Sequence, residues 1–186
     1  LTGGTLTGSG TASGVSALAA TLSGQLQVQQ GGALLSGGTS TLNAASIVNG
    51  GNLQADNLVL TANSLSNSGQ LQGQQSLLGT VQNGITNLSG GTLRSQGTLD
   101  LGAQTLLNQG QLQGDGVSHL TLTDNLNNQG TLLTGGRLTV SAPTLTNTGT
   151  LQAPGLTMTG GTPLHGGPLA GLAATTVHVT PVTQPV

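Results

Sequence analysis

The seven residues Leu106-Leu107-Asn108-Gln109-Gly110-Gln111-Leu112 decide the fold, because their pattern, apolar-x-Asn-x-Gly-x-Leu, recurs along the chain. Further copies with the same internal spacing occupy residues 47–53, 65–71, 126–132 and 145–151. A sixth copy begins at Ile85-Thr86-Asn87 and reaches Gly91-Thr92-Leu93 after a two-residue insertion. The asparagines follow one another at steps of 18, 20, 21, 20 and 19 residues. A regular step near 20 residues indicates a solenoid built from stacked repeats.

A second apolar pair lies between successive copies and alternates with polar residues. The pairs are Leu58-x-Leu60, Leu99-x-Leu101, Leu120-x-Leu122, Leu138-x-Val140 and Leu156-x-Met158. Alternation with a period of two is typical of a strand with one buried face. Each repeat therefore offers three short strands, separated by residues that favour turns. The sequence predicts an all-β fold, a three-sided parallel β-helix with about 20 residues per coil.

In such a helix, equivalent residues of successive coils lie on top of one another. We expect one core stack to contain Leu53, Leu71, Leu93, Leu112, Leu132 and Leu151. A second stack is expected to contain Ile47, Leu65, Ile85, Leu106, Leu126 and Leu145. Burial of a leucine contributes roughly 1.5–3 kcal/mol. A single coil only roughly offsets its own ordering entropy, so the coils must stack to be stable.

The Asn and Gly of the repeat are the candidate corner and ladder residues. They are Asn49, Asn67, Asn87, Asn108, Asn128 and Asn147, with Gly51, Gly69, Gly91, Gly110, Gly130 and Gly149. Aligned asparagine side chains can hydrogen-bond from coil to coil as a ladder. Asparagine also tolerates the left-handed backbone conformation, and glycine adopts it freely, so we expect that conformation at these corners. A structural role is preferred over glycan or metal binding for this column.

Composition excludes several function classes. Charged residues make up 3% of the chain and aromatic residues 0%, with 33 Gly in 186 residues. Two arginines and no lysine do not give the basic surface typical of nucleic-acid or anionic-membrane binding. The absence of cysteine excludes disulfides and thiolate metal sites. No apolar run is long enough for a transmembrane helix.

No catalytic, cofactor-binding or metal site is predicted. His119 alternates with Leu120 and Leu122, which places it on the outer face of its strand. The aspartates do not recur at a repeat position, as they would in a calcium-binding solenoid. No serine stands in a nucleophile elbow, and acidic and basic residues are too few for a lyase-type groove. Asn87-Leu88-Ser89 is a glycosylation-type sequon, but Asn87 is assigned to the ladder.

Two binding functions are alternatives to the structural role. Threonine pairs such as Thr121/Thr123 and Thr144/Thr146 could form an ice-binding face, although these two pairs do not fall at the same repeat position. A direct adhesive face for host or bacterial surface ligands is the other alternative. No Arg-Gly-Asp motif and no aromatic platform for a sugar accompany it.

The Asn-x-Gly-x-Leu corners at this step resemble the repeats of filamentous haemagglutinin-type exoproteins of two-partner secretion systems. That group includes adhesins and the stalks of contact-dependent growth inhibition effectors. The resemblance covers residues 47–159, and more weakly 1–46, where Gly24-Gln25-Leu26 and Gly32-Ala33-Leu34 keep the corner without the Asn. It implies a right-handed β-helix, export through an outer-membrane transporter and a role as an extended shaft.

Three segments are predicted. Residues 1–46 form irregular β-helix coils, 47–160 form the regular repeats, and 161–186 form a Pro/Gly-rich irregular end, cap or linker. Lacking an initial Met and a signal peptide, the chain is interpreted as an excised part of a longer protein.

The predicted protein is a shaft segment, secreted or at the cell surface of a Gram-negative bacterium, and not an enzyme. Its expected partners are the secretion transporter, neighbouring coils of the full-length chain and a cell-surface receptor. Nucleic acid and a small-molecule substrate are not expected.

Overall fold

A computed structural model of the chain describes residues 1–160 together with the backbone of 163–165, 169–170 and 174–179. Over these ranges the protein is all-β. None of the residues described forms a helix long and apolar enough to cross a membrane.

The strands described follow one another with short connections, as alternating apolar residues and turn-forming residues dictate. They are β1 (Thr2–Gly3), β2 (Leu6–Gly8), β3 (Thr11–Gly14), β4 (Ala17–Leu22), β5 (Gln25–Val28), β6 (Ala33–Ser36), β7 (Thr39–Asn49), β8 (Asn52–Asn67), β9 (Gln70–Asn87), β10 (Thr92–Ser95), β11 (Thr98–Ala103), β12 (Thr105–Asn108), β13 (Gln111–Gly114), β14 (Ser118–Leu122), β15 (Asn125–Asn128), β16 (Thr131–Thr134), β17 (Leu138–Ala142), β18 (Thr144–Asn147), β19 (Thr150–Gln152), β20 (Gly155–Gly160), β21 (Pro163–His165), β22 (Leu169–Ala170) and β23 (Ala174–Val179).

Each strand pairs in parallel with the equivalent strand one coil before and one coil after it. Strand β12 lies between β9 and β15, β13 lies between β10 and β16, and β14 lies between β11 and β17. The result is a parallel β-helix of about eight coils with roughly 19 residues per coil. This confirms the predicted fold class.

The coil has three faces, which the chain visits in the order face 3, face 1, face 2. Face 1 contains β2, β5, β12, β15, β18 and β21 with the last strand segments of β7, β8 and β9; face 2 contains β3, β6, β10, β13, β16, β19 and β22 with the first segments of β8 and β9; face 3 contains β1, β4, β11, β14, β17, β20 and β23 with the remaining segments of β7, β8 and β9. The Asn corner is the turn between faces 1 and 2.

The core is a set of aliphatic columns along the axis. On face 2, Leu112 is paired with Leu93 in the coil before it and with Leu132 in the coil after it. The column is Leu34, Leu53, Leu71, Leu93, Leu112, Leu132 and Leu151. On face 1 the matching column is Leu26, Ile47, Leu65, Ile85, Leu106, Leu126 and Leu145. All of these side chains are buried.

Face 3 has a register that differs from the one implied by its apolar pairs. Leu120 is paired with Leu101, and Leu122 is paired with Ala103. Ser118 therefore occupies the core position that Leu99 holds in the preceding coil, and it is 0% exposed. The alternation of side chains has a period of two, so a shift of two residues keeps the same face inside and leaves no mark in the pattern.

The two ends of the chain continue the same strand order. Within 1–46, strands β1 to β6 pair with the strands that follow them at one-coil intervals. At the other end, β21, β22 and β23 pair with β18, β19 and β20. The rest of 161–186 lies outside the described residues, so its assignment as an irregular end, cap or linker stays a prediction.

Candidate functional site: the asparagine ladder and the outer faces

The asparagines of the repeat lie inside the helix, at the end of each face 1 strand. Asn108 and Asn128 are each 0% exposed, as are the other four. Each Nδ2 atom of the first five donates to the Oδ1 atom of the asparagine in the next coil. The distances are 2.8 Å for Asn49 to Asn67, 2.8 Å for Asn67 to Asn87, 2.9 Å for Asn87 to Asn108, 2.7 Å for Asn108 to Asn128 and 2.7 Å for Asn128 to Asn147.

The same amides also donate to backbone carbonyl oxygens of the corner, both in their own coil and in the next coil. Asn67 Nδ2 donates to the carbonyl oxygens of Gly69 and Thr92, each at 3.1 Å. Asn108 Nδ2 donates to the carbonyl oxygen of Thr131 at 2.9 Å. Turn carbonyls that face the interior are thereby satisfied, which matters because an unpaired buried polar group costs about 1–3 kcal/mol. The column joins successive coils and closes the Asn corner of each.

The corner glycines are required for a reason other than the one expected. No non-glycine residue described has a positive φ, and the six corner glycines do not have one either. The expected left-handed conformation at these corners is therefore wrong. A Cβ atom on Gly110 would instead lie closer than 3.0 Å to the carbonyl oxygen of Gly91 in the coil below. Glycine is needed because the corners stack backbone on backbone.

Left-handed glycine occurs where the Asn corner is two residues longer. Gly90 has φ 84°, and the amide of Gly91 donates to the carbonyl of Leu88 at 2.8 Å. This hydrogen-bonded turn with glycine at its third position is typical of a type II turn. Gly31, with φ 83°, makes the corresponding turn three coils earlier on the same edge of the helix.

The few charged residues described lie on the outside. Arg94 Nη2 donates to Asp115 Oδ2 at 2.8 Å, and both side chains are 35% exposed. The hydrogen bond from Arg94 lowers the pKa of Asp115 below its ordinary value, and a hydrogen bond from Gln113 acts in the same direction. Such an exposed pair contributes little to stability.

His119 is exposed, as its alternation with Leu120 predicted. Its coil-to-coil neighbours on face 3 are Asp100 and Thr139. The side chains of His165 and His178 lie outside the described residues. Among the side chains described, no group of three or more histidines and acids could hold a metal ion.

Face 3 carries a column of hydroxyl groups on its outer side. The paired residues are Thr2, Thr21, Asn43, Thr61, Thr80, Gly102, Thr121, Ser141 and Thr159. Thr144 belongs to face 1, where it pairs with Asn125, so it does not join Thr121. Pairs of threonines do not reveal this column, because each coil contributes a single residue to it, and Asn43, Gly102 and Ser141 stand where the other coils have threonine.

The beginning of the helix is open. A cavity of about 300 Å³ lies in its first coils, lined mainly by Leu6, Ala12, Leu26 and Leu34. Gly3 and Gly8 of the first coil pair with the buried Leu22 and Val28 of the second, so the core of the first coil is underfilled.

The fold and the interior ladder define a class, the parallel β-solenoids in which a polar column closes one corner. Within it the chain is similar to segments of CdiA proteins. It is 38% identical over 118 residues to Toxin CdiA of Escherichia coli, which covers 63% of the chain and 4% of that protein. It is 42% identical over 128 residues to the tRNA nuclease CdiA of Escherichia coli strain STEC_O31, covering 69% and 4%. It is 40% identical over 113 residues to the deoxyribonuclease CdiA of Dickeya dadantii strain 3937, covering 61% and 3%.

No protein-family model matches the chain. No solved structure matches it either.

The names of these relatives correct the prediction that the protein is not an enzyme. Two of them are named as nucleases, and nucleic acid is the substrate that those names specify. The expectation of no nucleic-acid partner conflicts with the same names. The composition of these 186 residues does not indicate a nuclease, because the chain spans only 3–4% of the length of these relatives. The charge of such a segment does not report the activity of the whole.

Proposed function

We propose that the chain is a segment of the shaft of a long bacterial exoprotein, and that the whole protein is a toxin of the contact-dependent growth inhibition type. The observation that carries this proposal is the uninterrupted column from Asn49 to Asn147. Six consecutive coils that share one ladder and the same aliphatic columns give a rod. Each adds about 4.8 Å, so eight coils contribute roughly 40 Å of length.

The relatives support the second half of the proposal. Their names describe a toxin, a tRNA nuclease and a deoxyribonuclease, and the chain resembles a small part of each. In the whole protein, the shaft holds a module with nuclease activity away from the producing cell. All three relatives come from Gram-negative bacteria, and we place this protein in the same group, secreted or at the cell surface.

Export through an outer-membrane transporter is part of the same proposal. A disulfide formed in the oxidising periplasm would hinder a chain that has to cross the outer membrane unfolded. The 186 residues contain no cysteine, and each coil needs only its neighbour to fold against.

Removal of one coil from the full-length protein tests the shaft. Deletion of residues 109–128 joins Asn108 to Gln129, so the ladder and the leucine columns stay in register. We expect the rod to shorten by about 4.8 Å in small-angle scattering, while target-cell inhibition persists. Loss of inhibition in a deletion variant that is still exported and folded would contradict a spacer role for this segment.

An adhesive face is a second candidate, favoured by the hydroxyl column of face 3. The exposed Thr61, Thr80 and Thr121 could hydrogen-bond a repeating surface ligand at the spacing of the coils. Thr61→Lys should then reduce binding of the purified chain to target cells, whereas Ser66→Lys on face 1 should not. Equal binding by both variants would exclude face 3.

A further inference from the structure

The chain contains three peptide bonds at which a side-chain carbonyl can be attacked by the nitrogen of a following glycine. They are Asn49-Gly50, Asn83-Gly84 and Asp115-Gly116. Glycine favours this attack because no Cβ atom screens its nitrogen. The structure places the three bonds in very different surroundings.

Two of the three bonds are protected by their hydrogen bonds. The Asn49 amide is fully buried in the ladder, where Nδ2 donates to Asn67 Oδ1 and Oδ1 accepts from the Gly51 amide. The Gly50 nitrogen itself donates to the carbonyl of Val28 at 2.7 Å. At the third bond, the Asp115 carboxyl group is held by Arg94, and the Gly116 nitrogen donates to Gly97 at 3.0 Å.

Asn83 has no such restraint on its side chain. It is exposed at the corner between faces 3 and 1, and within the described part of the chain its amide group makes no hydrogen bond. Its backbone carbonyl accepts from the Gln104 amide of the next coil at 2.8 Å. The side chain is therefore free to rotate towards Gly84, whose backbone pairs with Ser64 and Thr105 of the neighbouring coils. Attack by the Gly84 nitrogen requires a local opening of this pairing, whereas Asn49 must break its ladder hydrogen bonds in addition to the pairing of its own glycine.

We propose that Asn83-Gly84 is a site of spontaneous deamidation on the surface of the helix. The Gly84 nitrogen loses its proton and forms a bond to Asn83 Cγ, and the bond from Cγ to Nδ2 breaks with release of ammonia. Water then opens the resulting succinimide at either carbonyl, giving aspartate or isoaspartate. No oxidant or enzyme is needed, and the rate rises with pH because the attacking nitrogen must be deprotonated.

The isoaspartyl product affects the stacking of coils as well as the surface charge. It adds one atom to the backbone at the residue whose carbonyl accepts from Gln104. The aged protein should therefore melt at a lower temperature than a freshly prepared Asn83→Asp variant, which adds the charge alone.

Peptide mapping by mass spectrometry after incubation of the folded chain in mildly alkaline buffer tests the proposal. We expect Asn83 to convert at least about tenfold faster than Asn49, because the ladder hydrogen bonds must break before Asn49 can react. In denaturant the two sites should convert at similar rates, which shows that the fold makes the difference. Gly84→Ala should slow conversion and still fold, since the one close atom to its Cβ would be the rotatable hydroxyl of Thr105 at 2.9 Å, and the Thr105 carbonyl oxygen at 3.9 Å is an ordinary contact. Equal rates at Asn83 and Asn49 in the folded chain would overturn the proposal, as would no conversion at Asn83 while the unfolded chain reacts.

Discussion

Asn108 Nδ2 donates to Asn128 Oδ1 at 2.7 Å, and both residues are 0% exposed although they lie 20 positions apart in the sequence. The bond joins two coils through the interior of the helix. Because Asn108 also accepts from Asn87 Nδ2 at 2.9 Å, one residue serves both the coil before it and the coil after it. The ladder is therefore continuous, and each member depends on its neighbours.

Asn108→Ala should destabilise the helix strongly. The change leaves Asn87 Nδ2, Asn128 Oδ1 and the Thr131 carbonyl each with one partner fewer in a buried place. We expect a loss of about 3 kcal/mol, because each unsatisfied buried group costs about 1–3 kcal/mol and some will find water. Urea unfolding followed by circular dichroism measures it. Gln109→Ala removes an exposed side-chain bond to Gln129 and is the matched control, with little change expected.

Leu112→Asp should abolish cooperative folding. Leu112 is 0% exposed between Leu93 and Leu132, so an aspartate there would be a buried charge without a partner. Gln111→Asp, one position away on the exposed side of the same strand, should change the melting temperature little. Thermal melts of equal midpoint for the two variants would contradict the assignment of inside and outside on face 2.

The substitution Gly110→Ala tests whether glycine is required at the Asn corner by steric crowding or by its backbone conformation. We expect a loss of about 2 kcal/mol, since the new Cβ would overlap the Gly91 carbonyl and force the coils apart. Gly102→Ala is the control, because its Cβ would meet nothing nearer than 3.9 Å. That variant should be neutral or stabilised by about 0.5 kcal/mol through the unfolded state. If both substitutions have the same effect on the urea midpoint, close stacking is not what selects glycine at this corner.

The lowered pKa of Asp115 predicts that the free energy of unfolding depends slightly on pH in the acidic range. Its pKa is lowered in the folded chain, chiefly by the hydrogen bond from Arg94, from an ordinary value of 3.8. The stabilisation is thus fully present above the ordinary pKa and is lost as the pH falls through the lower, folded value. Because the pair is exposed, we expect no more than about 0.5 kcal/mol. Arg94→Gln should remove this part of the dependence in urea titrations, and an unchanged profile would mean that the pair contributes nothing.

The strand arrangement and the inward-facing residues could be predicted from the sequence because the seven-residue pattern occurs six times. A 20-residue step with Leu112, Asn108 and Gly110 at fixed offsets determines the number of strands per coil and the inward residues. The register of Ser118 could not be predicted, since a shift of two residues leaves the alternation unchanged. The prediction for Gly110 was wrong because a sequence shows where a glycine stands but not why glycine is required there. A positive φ angle and a closely packed neighbouring backbone both require glycine, and the sequence does not distinguish them.

Less of the candidate site than of the fold could be predicted from the sequence. The hydroxyl column through Thr61, Thr80 and Thr121 depends on which residues of face 3 are paired, and loops of unequal length between them hide that pairing. The nuclease activity in the names of the relatives cannot be predicted from a segment that spans 4% or less of each.

The open first coil predicts that the isolated chain associates end to end. The cavity of about 300 Å³ beside Leu6 and Leu26 is apolar, and the strands of that coil have no partner on their outer edge within the chain. An uncovered strand edge next to apolar surface accepts another chain. Sedimentation velocity should therefore show species that grow with concentration. Leu6→Lys should suppress them, because an inward-pointing charge at an edge disfavours pairing, while Thr7→Lys on the exposed side of the same strand should leave association unchanged. A chain that stays monomeric at high concentration, or equal association by the two lysine variants, would show that the open end is not the contact.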